Sequence, residues 1–191
     1  MKIICYPHPA LRWQSKPITE INADLRKTIR SMFELMYEAK GIGLAANQVA
    51  LPYRLFIVNP TAEQAETDEE FVFINPEITR RKRSVEGEEG CLSLPELYGQ
   101  VRRAEEIVVE GFDLQGHGFE MTLTELPGRV VQHENDHLDG ILFTDRMSEA
   151  GQREIKPRLD DFEAHFRQEQ ASGEYPSDDD IKRHLRELDP C

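Results

Sequence analysis

The chain of 191 residues is short of several things, and each shortage closes off a class of protein. Its three cysteines, Cys5, Cys91 and Cys191, are too few and too far apart for a disulfide framework, so a reducing cytoplasm is the expected compartment. No run approaches the ~20 apolar residues of a membrane span. The opening MKIICYPHPALRW has too short an apolar run for a signal peptide, and it is broken by Pro7 and Pro9. Positive charge is scarce: 23 Lys and Arg stand against 36 Asp and Glu, a formal net charge of −13. Broad binding to nucleic acid or to an anionic membrane is therefore not expected. The local exception, Arg80-Arg81-Lys82-Arg83, reads as a solvated turn between strands. There are no internal repeats. With 39% hydrophobic residues, the chain suits one soluble domain burying roughly 70% of its unfolded surface.

Residues 22 to 41, NADLRKTIRSMFELMYEAKG, predict a helix. Asn22 can cap it, Leu25, Ile29, Met32, Phe33 and Met36 form one apolar stripe, and Gly41 is a stop. RLFIVNP (54–60) and FVFINPEIT (71–79) read as strands joined by an acidic loop. EEIVVEGFD (105–113) and FEMTLT (119–124) alternate across QGHG as an antiparallel hairpin. A second helix comes next, with Thr124 as N-cap, Pro127 in its first turn and Gly140 as its stop. Leu126, Val130, His133, His137 and Ile141 fall on one stripe of it, so both histidines are expected to be buried. After Met147 the composition turns polar. A third helix with Pro157 near its first turns is expected, then a loosely attached acidic extension.

The stretch QHENDH places His133 and His137 four apart on one helical face, the spacing at which two imidazoles grip one metal ion. Glu134 lies beside them. Two core histidines satisfied by backbone would give the same pattern. The extended pattern H-E-x-x-H-x-x-G-x-x-H fails here, because Phe143 occupies the place of the third histidine. Position alone leaves Glu149 or Glu154 open as a downstream third ligand. Upstream, EGCLSLP offers Cys91 after Gly90; a thiolate with two neutral imidazoles leaves one tetrahedral position open for water. A lone cysteine is more often a small buried hydrophobe, but beside the histidine pair the ligand reading is the better one. GIGLAANQV (41–49) supplies small residues that let backbone approach a ligand, and Gln48 adds a neutral amide.

The ordered triple Gly41-Ile42-Gly43-Leu44-Ala45-Ala46-Asn47-Gln48, Glu89-Gly90-Cys91-Leu92-Ser93 and Gln132-His133-Glu134-Asn135-Asp136-His137-Leu138 resembles the three motifs of peptide deformylase. Tyr6-Pro7-His8-Pro9-Ala10-Leu11-Arg12 and Gly140-Ile141-Leu142-Phe143 with Asp145-Arg146 also resemble that family, so the likeness covers roughly residues 1–147. It implies an α+β fold in which antiparallel strands wrap a central helix carrying the HExxH motif, with a C-terminal helix. It also implies a catalytic domain over 1–147 and a C-terminal helix with an acidic extension over 148–191.

The resemblance further implies a metal-dependent hydrolase that removes the formyl group from N-formyl-methionyl nascent peptides and releases formate. It implies one divalent metal held by Cys91, His133 and His137, with Fe(II) as the physiological ion and zinc, nickel or cobalt as substitutes. Glu134 would be the base, Gln48 and the Leu92 N–H the oxyanion donors, and Gly43 a backbone contact to substrate. Well-known members carry a basic C-terminal helix linked to ribosome docking. Here residues 148–191 hold 7 Arg and Lys against 12 Asp and Glu, 7 − 12 = −5, which argues against docking through this tail. A general zinc metallopeptidase would use the same helix without needing Cys91. A metal-stabilised binding module would close the fourth position and have no use for Glu134.

Overall fold

The computed structural model describes residues 1–189, so Cys191 lies outside the described residues. Alternation builds the centre of the molecule. A five-stranded antiparallel sheet runs in the order β1-β2-β3-β6-β7, where β1 is Gly43–Ala45, β2 Leu55–Val58, β3 Phe71–Lys82, β6 Glu106–Phe112 and β7 Gly118–Thr124. A separate two-stranded ribbon pairs β4 (Val85–Cys91) with β5 (Leu94–Arg103). Every residue of β2 is buried because each of its faces meets a helix. Leu55 and Ile57 pack with Leu25, Ile29, Met32 and Met36 of α1 (Ala23–Glu38), while Phe56 and Val58 pack with Val130, Val131 and Leu138 of α2 (Glu125–Leu138). The Phe56 and Phe73 rings stack at 4.7 Å on the α2 face, a contact worth ~1 kcal/mol beyond its area.

The expected elements form where the patterns place them. Asn22 caps α1 by accepting from Leu25 N at 2.9 Å, and β6 pairs with β7 from Glu106↔Thr124 to Phe112↔Gly118. α2 begins after Thr124, whose side chain makes no capping bond, and the chain leaves it through Gly140 at φ +71°. A Cβ at Gly140 would lie 2.7 Å from the Arg12 carbonyl, so a residue without one is needed to bring the N-terminal segment against this turn. Three details differ from expectation, the first being that Ile141 lies past the end of α2 at Leu138 and so is not on its stripe. The basic run 80–83 is mostly the exposed end of β3, with only Arg83, at φ 55°, in a turn. Leu126 is half exposed, because the first turn of α2 overhangs a cleft instead of the core.

The larger correction concerns the tail, which is not loosely attached. After the short α3 (Phe143–Arg146), α4 spans Glu149–Ser172 and ends at Gly173, φ +84°. α5 covers Asp178–Leu188; Ser177 caps it, and Asp178, Asp179 and Asp180 in its first turn face the positive end of the helix dipole. Phe166, Ile181 and Leu185 are buried in one cluster with Ile4, Ala10, Leu11 and Leu94. The acidic residues cover the outside of these helices, and a four-residue step puts Ile181 and Leu185 on one inward face. No helix among the described residues is long and apolar enough to cross a membrane.

Candidate active site

Three separated elements meet at one point. α2 presents His133 and His137 on the face turned toward β4 and the β4–β5 turn. Cys91 is the last residue of β4, and Gln48 sits in the 3-10 turn Ala46–Val49 that comes after β1. Cys91 Sγ lies 3.3 Å from His137 Nε2. Ligand atoms of Cys91, His133 and His137 all fall within 4.8 Å of one another. Tetrahedral bonds of about 2.3 Å to sulfur and 2.1 Å to nitrogen put neighbouring ligands about 3.6 Å apart, so this donor set fits one divalent cation. Glu149 and Glu154 do not join it. Both are exposed on α4, and Glu149 pairs loosely with Arg153 at 3.7 Å.

Behind the histidines stands a buried network that single-residue reading of the sequence does not reveal. His133 Nδ1 meets Glu89 Oε2 at 3.0 Å, which leaves Nε2 for the Cys91 side. Glu89 accepts a bidentate pair from Arg103, both contacts 2.9 Å, and a third bond from Arg129 at 2.7 Å. Arg103 also donates to Asp136, whose carboxylate is shared with Arg146 at 2.7 and 3.0 Å. Burial would push the Glu89 carboxyl up, but His133 and Arg103 hold it well below the usual carboxylate range. Burial likewise opposes charge on His133, yet its contacts with Cys91 and Glu89 favour a ring proton, one that a cation bound at Nε2 would displace. His137 goes the other way: burial, then the neighbouring His133, push it well below its ordinary value. Its Nδ1 has no hydrogen-bond partner among the described residues.

Glu134 lies between the histidines in sequence and points toward β1. It is buried, and its Oε2 has no partner among the described residues. Burial pushes its carboxyl up to about 7 against the pull of His133, close to neutrality where a group can both take and return a proton. Gly43 closes over it: a Cβ there would stand 2.5 Å from Glu134 Oε1. Gln48 is fixed as firmly. Its Oε1 accepts from Ala45 N at 2.8 Å, which turns Nε2 toward Cys91 Sγ at 3.4 Å and Ser93 Oγ at 3.2 Å. Asn47 donates to the His137 carbonyl and so joins the 3-10 turn to α2.

A cleft of about 670 Å³ opens above these groups, lined by Gly43, Leu92, Tyr98, Leu126, Val130 and His133 among others. All the expected site residues converge here: Gly43, Gln48, Cys91, Leu92, His133 and Glu134 border the cleft, and His137 stands behind Cys91. Sequence reading omitted Arg103, Arg129 and Asp136. Their only signal is charge on strand and helix positions that otherwise face inward.

Known proteins are similar to this chain in sequence and fold. The polypeptide deformylase family model matches residues 1–153. A peptide deformylase of Rhodopirellula baltica is 47% identical over 173 residues, 91% of this chain and 86% of that protein. Among solved structures, peptide deformylase 1B of Arabidopsis thaliana superposes with a TM-score of 0.85 at 38% identity, covering 91% of this chain and 94% of the other. The Plasmodium falciparum peptide deformylase gives 0.84 at 36% identity, covering 89% and 98%. With all three motifs folded into one metal-competent site, the chain belongs to the polypeptide deformylase family.

Proposed function

We propose that this chain removes the formyl group from N-formyl-methionyl peptides in the cytoplasm, with Cys91, His133 and His137 holding one divalent cation. Fe(II) is the proposed physiological ion, with zinc, nickel or cobalt as substitutes, since each accepts a thiolate beside two imidazoles. Such a cation, when bound, supplies Lewis acidity, lowering the pKa of a water and polarising a carbonyl oxygen. The observation that carries the reading is Glu134, a buried carboxylate with one oxygen unpartnered among the described residues, beside a Cys-His-His cluster at the base of a cleft.

The residues then divide the work. Glu134 takes a proton from the attacking water as its oxygen bonds to the formyl carbon. Negative charge develops on the formyl oxygen, and the Gln48 amide N–H and the Leu92 backbone N–H are the donors proposed to meet it. When the carbon–nitrogen bond breaks, Glu134 returns the proton to the departing amine, leaving formate and a free N-terminus. Gly43 is the proposed backbone contact for the extended peptide, and Leu126 and Val130 give the methionine side chain apolar walls. With a net charge of −5, the tail is not assigned to ribosome docking.

Replacement separates the roles. Glu134→Ala should keep the metal and lose kcat by ~100-fold or more. Gln48→Ala should lower kcat by ~100-fold with a smaller change in KM. Metal lost along with activity in Glu134→Ala would make that residue a ligand instead.

A further inference from the structure

Gln48 is held through its backbone by a segment outside the three motifs. Ile4 N donates to the Gln48 carbonyl at 2.9 Å, and two residues on Tyr6 N donates to the Ser93 carbonyl at 2.9 Å. The segment Ile4–Tyr6 therefore bridges the turn bearing Gln48 and the turn after Cys91, the two pieces whose separation sets the Gln48 Nε2 contacts with Cys91 and Ser93. Two hydrogen bonds do not by themselves keep a chain end from fraying. Ile4 is also buried beside Ala10, Leu11 and Leu94, and the tail adds a further grip from outside. His8, just beyond the segment, sets its ring edge-on to Phe166 at 5.9 Å and to Tyr175 at 5.8 Å. Phe166 and Tyr175 pack on each other at 5.2 Å. Just before the segment, Lys2 Nζ sits 4.3 Å over the Tyr175 ring. Tyr175 occupies the link between α4 and α5 and so touches both sides of Ile4–Tyr6, although the cleft itself is lined only by residues between 39 and 134.

We propose that Tyr175 is a positioning residue for the reaction: it clamps Ile4–Tyr6, which in turn holds Gln48 against the Cys91–Ser93 turn. The proposal rests on the assignment of Gln48 as oxyanion donor. Releasing the clamp moves a group that matters as charge develops, so kcat falls while substrate binding is little changed. A merely structural tyrosine would lower the unfolding temperature and leave the kcat of metal-loaded, folded protein alone.

The test uses the full chain with Tyr175→Ala and Tyr175→Phe, assayed on formyl-Met-Ala-Ser well below unfolding, with metal content and native-state amide exchange at Ile4 and Tyr6 measured in parallel. Tyr175→Ala should speed exchange at both amides and lower kcat by ~10-fold, with KM within about twofold and metal retained, since displacements of ~1 Å at a catalytic group cost up to ~100-fold. Tyr175→Phe keeps the ring contacts and should restore both. If Tyr175→Ala does not fold, Tyr175→Leu keeps apolar bulk and must lower kcat in the same direction. Faster exchange with an unchanged kcat in either variant overturns the proposal. A Gln48→Ala protein with near-normal kcat would instead remove the assignment beneath it.

Discussion

Replacing Gly43 by alanine is the smallest change that should reach the proton-transfer group. Its Cβ would stand 2.5 Å from Glu134 Oε1 and 2.9 Å from both Cδ and Cγ, where ordinary contact begins near 3.4 Å. The carboxylate must therefore retreat by about 0.9 Å, 3.4 − 2.5. It has little room, being buried on α2 between two histidines that are themselves fixed. A misplacement of ~1 Å at a catalytic group costs on the order of 100-fold, or about 2.7 kcal/mol in the barrier. Gly43 is not among the residues with positive φ, so alanine adds no backbone strain, and the loss of glycine freedom in the unfolded chain offsets only part of the ~1–3 kcal/mol that crowding a buried site costs. Formate release, metal content and unfolding temperature should then show kcat down ~100-fold with the metal bound and the fold intact. A kcat within threefold of the parent would mean that Glu134 has space and that the close approach of Gly43 does not position it.

Two further perturbations act on buried charge. Arg103→Met leaves Glu89 and Asp136 short of their shared partner, so chemical unfolding should show a loss of ~3 kcal/mol; because Glu89 orients His133, metal affinity should also fall ~10- to 100-fold. His8 gives a pH dependence: burial, then nearby Lys2, push it down to about 4 from an ordinary 6.5. Between those values the unfolded chain binds a proton that the folded chain refuses. Stability from this group is thus full above about 6.5 and falls as the pH drops toward 4, by on the order of 3 kcal/mol. His8→Asn keeps an acceptor for Ala10 N and should lose less stability than the parent between pH 7 and 4; parallel losses would refute the assignment.

Periodicity made some of this architecture readable. α1 is announced by its cap and by five apolar residues at steps of one, three and four, and all five are buried. β7 alternates between exposed and half-covered residues as the sequence pattern suggests, whereas β6, paired on both sides, buries Ile107, Val108 and Val109 in a row. The histidine pair was legible for the same reason, since polar residues on an apolar stripe need an explanation. Tertiary pairing was less visible. Arg103 is 14 residues from Glu89 and 33 from Asp136, and nothing local distinguishes a buried arginine on β5 from the exposed Arg102 beside it. The tail misled because its charges outnumber its few anchors. Ile155, Phe166, Ile181 and Leu185 are sparse, yet each is buried, since two helices need only one narrow stripe apiece to dock. Leu126 failed in the opposite sense, an apolar residue on the right stripe that faces a cleft instead of a core.

The most direct measurement tracks formate and free amine from formyl-Met-Ala-Ser incubated with the metal-loaded chain, beside acetyl-Met-Ala-Ser and the unblocked peptide. The account predicts equal yields of formate and amine from the formylated peptide, slow or no release from the acetylated one, and no cleavage of the unblocked one. Cleavage of the Met–Ala bond, or equal rates on the formyl and acetyl peptides, would contradict it.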